Sequence, residues 1–306
     1  MGGRERADSA RWEWQRRPVW RTGFDNVGPV FESKPPTPRE RLITALGGYS
    51  TLLYWYRALR PRWLWRLTSP FGRPISRYVR EQGLAVKRGP FQGLAYPKSS
   101  LGHTNYLSAK LAGAYEPGVV EFLMKHIHDN DVFVDVGSGD GFFCIGVARL
   151  ASLRVIGFET NRFERRLAGK LARKNGVEFE ARGSAAHAEL NALPNGRMLL
   201  LLDVEGFEED LLDPVKVPCL RDATMIVEVH EQFRPNVVKT LVGRFESTHR
   251  IDRFFAVPAD RNESPEFNRW NDADAELALY DGHRSGDSWM TFTPRQASRE
   301  PGGAQG

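Results

Sequence analysis

Beyond Leu101 the apolar positions fall into two alternating patterns: short unbroken runs, and longer stretches in which apolar residues recur at helical spacing. A helical stretch, LSAKLAGAYEPGVVEFLMKHIHD (residues 107–129), precedes the run VFVDV. The order then reads helix (FCIGVARLA), strand (RVIGFE), helix (RFERRLAGKLARKN), strands VEFEARG, RMLLLLDVE and TMIVEVH, helix (NVVKTLVGRFE), strand (IDRFFAV) and finally SWMTFTP. A strand buried on both faces reads as a continuous apolar run, so this pattern predicts an α/β, doubly wound, mostly parallel sheet covered by helices on both sides. The domain is expected to span residues 101–297.

The preceding third of the chain is different. Residues 1–40 hold no sustained period and end in SKPPTPRE, which predicts a flexible arm. Residues 41–80 carry eight Arg and no acid, interleaved with aromatics such as Trp55, Trp63, Trp65 and Phe71, and are divided by Pro61 and Pro74 into short helical pieces. A basic, aromatic helical extension over residues 41–100 is consistent with a cap on the next domain, with a membrane surface or lipid-linked partner, or with stacking on a nucleic acid. Nucleic acid ranks last, because no RNA-binding signature accompanies the charge. Residues 298–306 read as a disordered tail.

Charge and cysteine content narrow the setting. The chain of 306 residues has a formal charge of +5, but residues 1–100 hold 19 Lys and Arg against 7 Asp and Glu, and the remainder 24 against 31. Cys144 and Cys219 have neither C-x-x-C nor zinc-finger spacing, so no disulfide framework or zinc module is implied. The N-terminus lacks the apolar core of a secretory signal, and the uncharged stretch Leu42 to Tyr56 is shorter than the ~20 residues that span a bilayer. The expectation is a cytoplasmic protein whose membrane contact, if any, is peripheral.

The chemistry centres on VFVDVGSGDGFF, Val132 to Phe143. A strand ending in Asp135, followed by Gly137, Gly139 and Gly141 and an apolar helix, brings backbone N–H groups close to a ligand over the strand's end. The spacing G-x-G-x-G, with Phe142 where a third glycine would stand, disfavours NAD or FAD, and no G-K-[ST] follows to make a Walker loop. Glu159 ends the next strand, where an acid accepts hydrogen bonds from both ribose hydroxyls of a nucleoside. Together these features indicate an adenosine-containing cofactor.

At these residues the chain resembles the class I S-adenosylmethionine-dependent methyltransferases, and within them the FkbM family. The narrower likeness rests on KLAGAYEPGVVEFL, LLLDVEGFEEDLL and IVEVHE, and covers roughly residues 101–294. Two positions depart from the family pattern: the loop is G-S-G-D-G where G-A-N-x-G is common, and FET stands for FEP. The resemblance implies a Rossmann-like seven-stranded sheet whose last strand, SWMTFTP, is antiparallel. It implies S-adenosylmethionine as cofactor and methyl transfer, commonly to a hydroxyl of a sugar, polyketide or other small metabolite. It also implies that Tyr115 and Glu116 line the cofactor side. Ser184 and Ala185, after the third strand, stand where adenine is usually flanked.

Ligands of an open parallel sheet bind where strand order reverses, here between the strands ending at Asp135 and Asp203. Residues two apart on a strand share a face, so Asp203 with Glu205, and Glu228 with His230, can project together and converge if those strands are adjacent. A hydroxyl acceptor requires a base, and His230 is the first candidate, with Glu228 or Glu205 orienting it or holding the acceptor. Asp203 serves either in catalysis or in binding the cofactor's amino group. A divalent metal on Asp203, Glu228 and His230 is chemically reasonable, although the spacing does not require it. Glu208, at a helix start, is expected to serve the helix dipole.

The leading expectation is an S-adenosylmethionine-dependent O-methyltransferase acting on a glycan or small-metabolite hydroxyl. The alternatives are a non-catalytic cofactor-binding scaffold docking through residues 41–80, and a methyltransferase with a nitrogen or nucleic-acid acceptor. The last is weakened by D-V-E-G standing where N-P-P-Y or D-P-P-Y would serve amino-group methylation. Acceptor choice is expected to reside in residues 87–104 and 261–287.

Overall fold

The computed structural model describes residue 65 and residues 67–256, 259, 261–282 and 288–295. The expected arm (1–40), the extension up to residue 64 and the tail (298–306) lie outside the described residues. Seven strands are described: β1 Val132–Val136, β2 Arg154–Phe158, β3 Glu180–Arg182, β4 Met198–Leu202, β5 Thr224–Val229, β6 His249–Phe255 and β7 Ser288–Pro294. They form one sheet in the order β3-β2-β1-β4-β5-β7-β6. Strands β1 to β5 run parallel, and β7 inserts antiparallel between β5 and β6, so the SWMTFTP segment takes the place expected of it.

The apolar runs are buried on both faces. Phe133 of β1 joins one apolar cluster with Leu199, Leu201 and Ile226, while its neighbours Val132, Val134 and Val136 join a second with Leu200, Leu202 and Val227. This is the period-two alternation of a strand with helices on either side. Helices α1 Gly72–Gln82, α2 Leu107–Ala112, α3 Pro117–His126, α4 Phe142–Leu150 and α5 Arg162–Asn175 supply the first cluster. Leu190 of α6 (His187–Asn191) and Leu241 and Phe245 of α8 (Val237–Phe245) supply the second. Two further helices, α7 Glu208–Leu211 and α9 Asp272–Leu279, follow β4 and precede β7. Each fully buried large apolar side chain contributes roughly 1.5–3 kcal/mol.

Two local expectations are corrected. The stretch 107–129 is two helices rather than one, because Gly113 ends α2 in the left-handed region at φ 73° and Pro117 starts α3. A Cβ on Gly113 would lie 2.4 Å from the Arg88 carbonyl oxygen, so the break is fixed by close backbone approach. The third strand is three residues long, not seven. It is an edge strand paired only with β2, and Val177 and Phe179 turn instead toward the first apolar cluster.

The part of the extension that is described packs onto the domain. Trp65, Ile75 and Tyr78 are buried in the same cluster as the sheet residue Phe133. Arg88 holds Glu266 with two guanidinium contacts, at 2.5 and 2.9 Å, and Tyr78 donates its hydroxyl hydrogen to the same carboxylate at 3.2 Å. No described helix is long and apolar enough to cross a membrane.

Candidate active site

The strand order reverses between β1 and β4, and the glycine loop lies at that point. Gly137, Gly139 and Gly141 all have positive φ. A Cβ on Gly137 would come within 1.8 Å of the Asp203 carbonyl oxygen, so only glycine lets β1 and β4 deliver their ends side by side. A Cβ on Gly139 would meet nothing within 4 Å, which leaves the loop's outer face open. Gly141 packs against Ile145 and Ala168 and starts α4, so its role is in the helix contact rather than in the cavity wall.

Glu159 braces this loop. Its carboxylate accepts hydrogen bonds from the Gly139 amide at 2.9 Å and the Asn161 amide at 2.6 Å. Asn161 in turn caps α5 by accepting from the amides of Phe163 and Glu164, a contact that stabilises a helix start by about 1 kcal/mol. The ribose acid expected from the sequence therefore holds the loop's shape.

A cavity opens above the loop. Of the residues singled out in the sequence, Tyr115, Glu116, Asp135, Gly137, Gly139 and Asp203 line it. Ser184, Ala185, Glu159, Gly141, Glu205, Glu228 and His230 do not line it. The sequence reading overlooked other lining residues, among them Lys110, Asp140 and Trp289. Lys110 is nearly buried, forms an ion pair with Asp140 at 2.9 Å, and lies over the Tyr115 ring at 4.7 Å. Tyr96 donates its hydroxyl hydrogen to the other Asp140 oxygen. A lysine in the otherwise apolar segment LSAKLAGA, with an acid inside the glycine loop, was the available signal.

Burial pushes the Asp135 carboxyl up to about 8; a hydrogen bond from the Cys144 thiol opposes the shift, and the charges of Asp203, Glu116 and Glu159 add to it. Asp203 is likewise raised by burial and by the adjacent Glu205 carboxylate, against a hydrogen bond shared with Glu228. Its Oδ1 atom is buried without a hydrogen-bond partner.

Beside Asp203 the expected cluster forms, because β4 and β5 are adjacent. His230 Nε2 faces Asp203 at 3.9 Å, Glu228 at 3.8 Å and Glu205 at 3.6 Å. Glu205 lies past the end of β4 with φ 50° and is largely exposed, so it reaches the cluster from a turn rather than along the strand face. Glu208 has a larger role than the helix-start acid expected of it. Fully buried, it accepts the Gly206 amide at 2.9 Å and lies 2.5 Å from His230 Nδ1. Burial alone would lower the imidazole, but the Glu208 hydrogen bond and the charges of Glu208, Asp203 and Glu205 outweigh it and raise His230 above its ordinary value.

No family model matches the sequence, and no curated protein matches it. Solved structures are similar to it at TM-scores below 0.4. A candidate O-methyltransferase from Klebsiella pneumoniae is 12% identical, with 81% of this chain and 98% of that chain covered and a TM-score of 0.39. An rRNA methylase from Streptococcus thermophilus is 12% identical, covering 57% and 93%, TM-score 0.39. A dimethyladenosine transferase from Plasmodium falciparum is 12% identical, covering 59% and 62%, TM-score 0.37. At such identities the functional reading comes from the site's own chemistry.

Proposed function

We propose that the protein is an S-adenosylmethionine-dependent methyltransferase that methylates a hydroxyl on a sugar, glycan or small secondary metabolite, as the resemblance to the FkbM family implies. The observation that carries the proposal is the joining of two sites through one residue. Asp203 lines the glycine-loop cavity and also faces His230 and Glu228. Cofactor and acceptor would thus lie on either side of a single carboxylate.

The cavity residues fit this cofactor. A sulfonium and an ammonium call for carboxylates, which Glu116 and Asp203 supply, and a carboxylate calls for a cation, which Lys110 supplies. The open face at Gly139 admits a ligand against the loop, and Glu159 keeps its remaining lone pairs for ribose hydroxyls. When bound, the cofactor supplies an electrophilic methyl group.

The rest is positioning and proton removal. Glu208 holds Nδ1 of His230, so Nε2 is turned toward Asp203, Glu205 and Glu228. An acceptor hydroxyl at that cluster gives its proton to it, with His230 the group whose ordinary range lies nearest neutrality. The acceptor oxygen forms the new bond to carbon, and the electron pair of the broken carbon–sulfur bond stays on sulfur.

Calorimetric titration of S-adenosylmethionine and, separately, NAD into the purified protein tests the reading. The expected result is binding of the first alone, weakened at least tenfold by Glu159→Ala. A folded protein that does not bind S-adenosylmethionine would overturn it.

A further inference from the structure

The gap at the centre of the strand-end cluster has the dimensions of an ion site. The three carboxylates around His230 Nε2 stand 3.6–3.9 Å away, beyond hydrogen-bond range. One ligand atom each from Asp203, Glu228 and His230 can be chosen so that all lie within 4.8 Å of one another. Atoms bound at about 2.0–2.4 Å to a common dication stand about 3–4.8 Å apart, depending on the angle between them.

Two independent features indicate a cation rather than a chance meeting of polar groups. The His230 side chain is only 4% exposed, and its Nε2 is aimed into the cluster. Its other nitrogen is committed to Glu208, which is 0% exposed. A buried carboxylate on one imidazole nitrogen fixes the tautomer and leaves the other lone pair for a metal, the arrangement typical of metal-bound histidines. In addition, Asp203 Oδ1 is buried without a hydrogen-bond partner.

We propose that Asp203, Glu228 and His230 bind a divalent cation, with Glu208 orienting the imidazole and the exposed Glu205 at the open side. One imidazole with two carboxylates and no thiolate suits Mn²⁺ or a similar ion of oxygen-rich sites. With the cation in place Nε2 is a ligand, and the proton of the acceptor hydroxyl goes to Glu205. The open coordination positions favour an acceptor that offers two neighbouring oxygens, such as a vicinal diol. That last clause rests on the methyltransferase reading; the binding of the cation does not.

The test is titration of Mn²⁺ into chelator-stripped full-length protein, followed by calorimetry and by the electron paramagnetic resonance signal of the free ion. S-adenosylmethionine is titrated in parallel, and circular dichroism checks folding. One Mn²⁺ per chain is expected, weakened at least 100-fold in Glu228→Gln and in Asp203→Asn and about 10–100-fold in Glu208→Gln. No Mn²⁺ binding by a folded protein that still takes S-adenosylmethionine would overturn the cation site and leave the methyltransferase reading intact. Mn²⁺ binding unchanged in folded Glu228→Gln and Asp203→Asn would overturn it equally. Mn²⁺ binding without S-adenosylmethionine binding would support the cation site and sink the other reading.

Discussion

His230 Nδ1 lies 2.5 Å from a carboxylate oxygen of Glu208, and both side chains are buried. Neither Glu208 nor His230 lines the glycine-loop cavity; Glu208 acts on the strand-end cluster through the imidazole, whose Nε2 faces Asp203. Glu208→Gln keeps the size of the side chain and removes the charge. The expected outcome is a folded protein whose kcat for methyl transfer falls about 10–100-fold while KM for S-adenosylmethionine stays unchanged. Steady-state kinetics decide it, since an unaltered kcat would reduce the pair to a structural contact.

Two neighbouring glycines should respond differently to the same methyl group. Gly137→Ala places a Cβ against the Asp203 backbone at φ 95°, and is expected to cost at least 3 kcal/mol or to prevent folding. Gly139→Ala meets no atom within 4 Å at φ 51° and is expected to cost about 1–2 kcal/mol while leaving a folded protein. Its methyl would still occupy the open loop face, so calorimetry is expected to show weaker S-adenosylmethionine binding. Equal melting temperatures for the two variants would contradict the geometry.

The buried Asp135 makes stability depend on pH. Because burial pushes its carboxyl from 3.8 up to about 8, the native state keeps a proton that the unfolded chain releases. Stability from this group is therefore full below about pH 4 and declines as pH rises toward 8, by up to about 1.4 kcal/mol per pH unit. Asp135→Asn is expected to flatten that slope, with its largest relative gain near pH 8 and none at pH 4. Thermal melts of the ligand-free protein from pH 4 to 9 measure this, and parallel curves for variant and wild type would refute it.

Helix α1 belongs energetically to the sheet domain. Ile75 and Tyr78 are 0% exposed, and Arg77 stacks over Trp270 at 4.0 Å. Ile75→Ala is expected to destabilise the protein by about 2–5 kcal/mol in urea unfolding. A chain beginning at residue 101 is expected to expose the face that α1 covers and to aggregate. If that shorter chain instead folds with the full stability of the intact protein, α1 contributes nothing to the core.

Much of the frame was legible from residue order alone. Apolar runs in β1, β4 and β5 marked strands buried on both faces, and the glycines after Asp135 marked the loop, because both signals depend on residues close together in sequence. The approach of Asp203 to Glu228 and His230 was also legible, since it required only that β4 and β5 be neighbours, whereas Glu205 joins them through a turn at φ 50° that the strand pattern did not show. The break at Gly113 and the short third strand were not, because each depends on what a distant backbone segment leaves room for.

Sequence by itself determined the doubly wound sheet, the position of its reversal and the residues at the ends of its strands. Only the tertiary structure decided what those residues touch. Glu208 and His230 are 22 positions apart, and Lys110 and Asp140 are 30 apart. No periodicity links such pairs; a lysine in an apolar segment and an acid in the glycine loop are each visible in the sequence, but not that they meet. What joined them was the packing of separate elements at the strand ends, where a buried charge persists only if a counter-charge or hydrogen bond meets it.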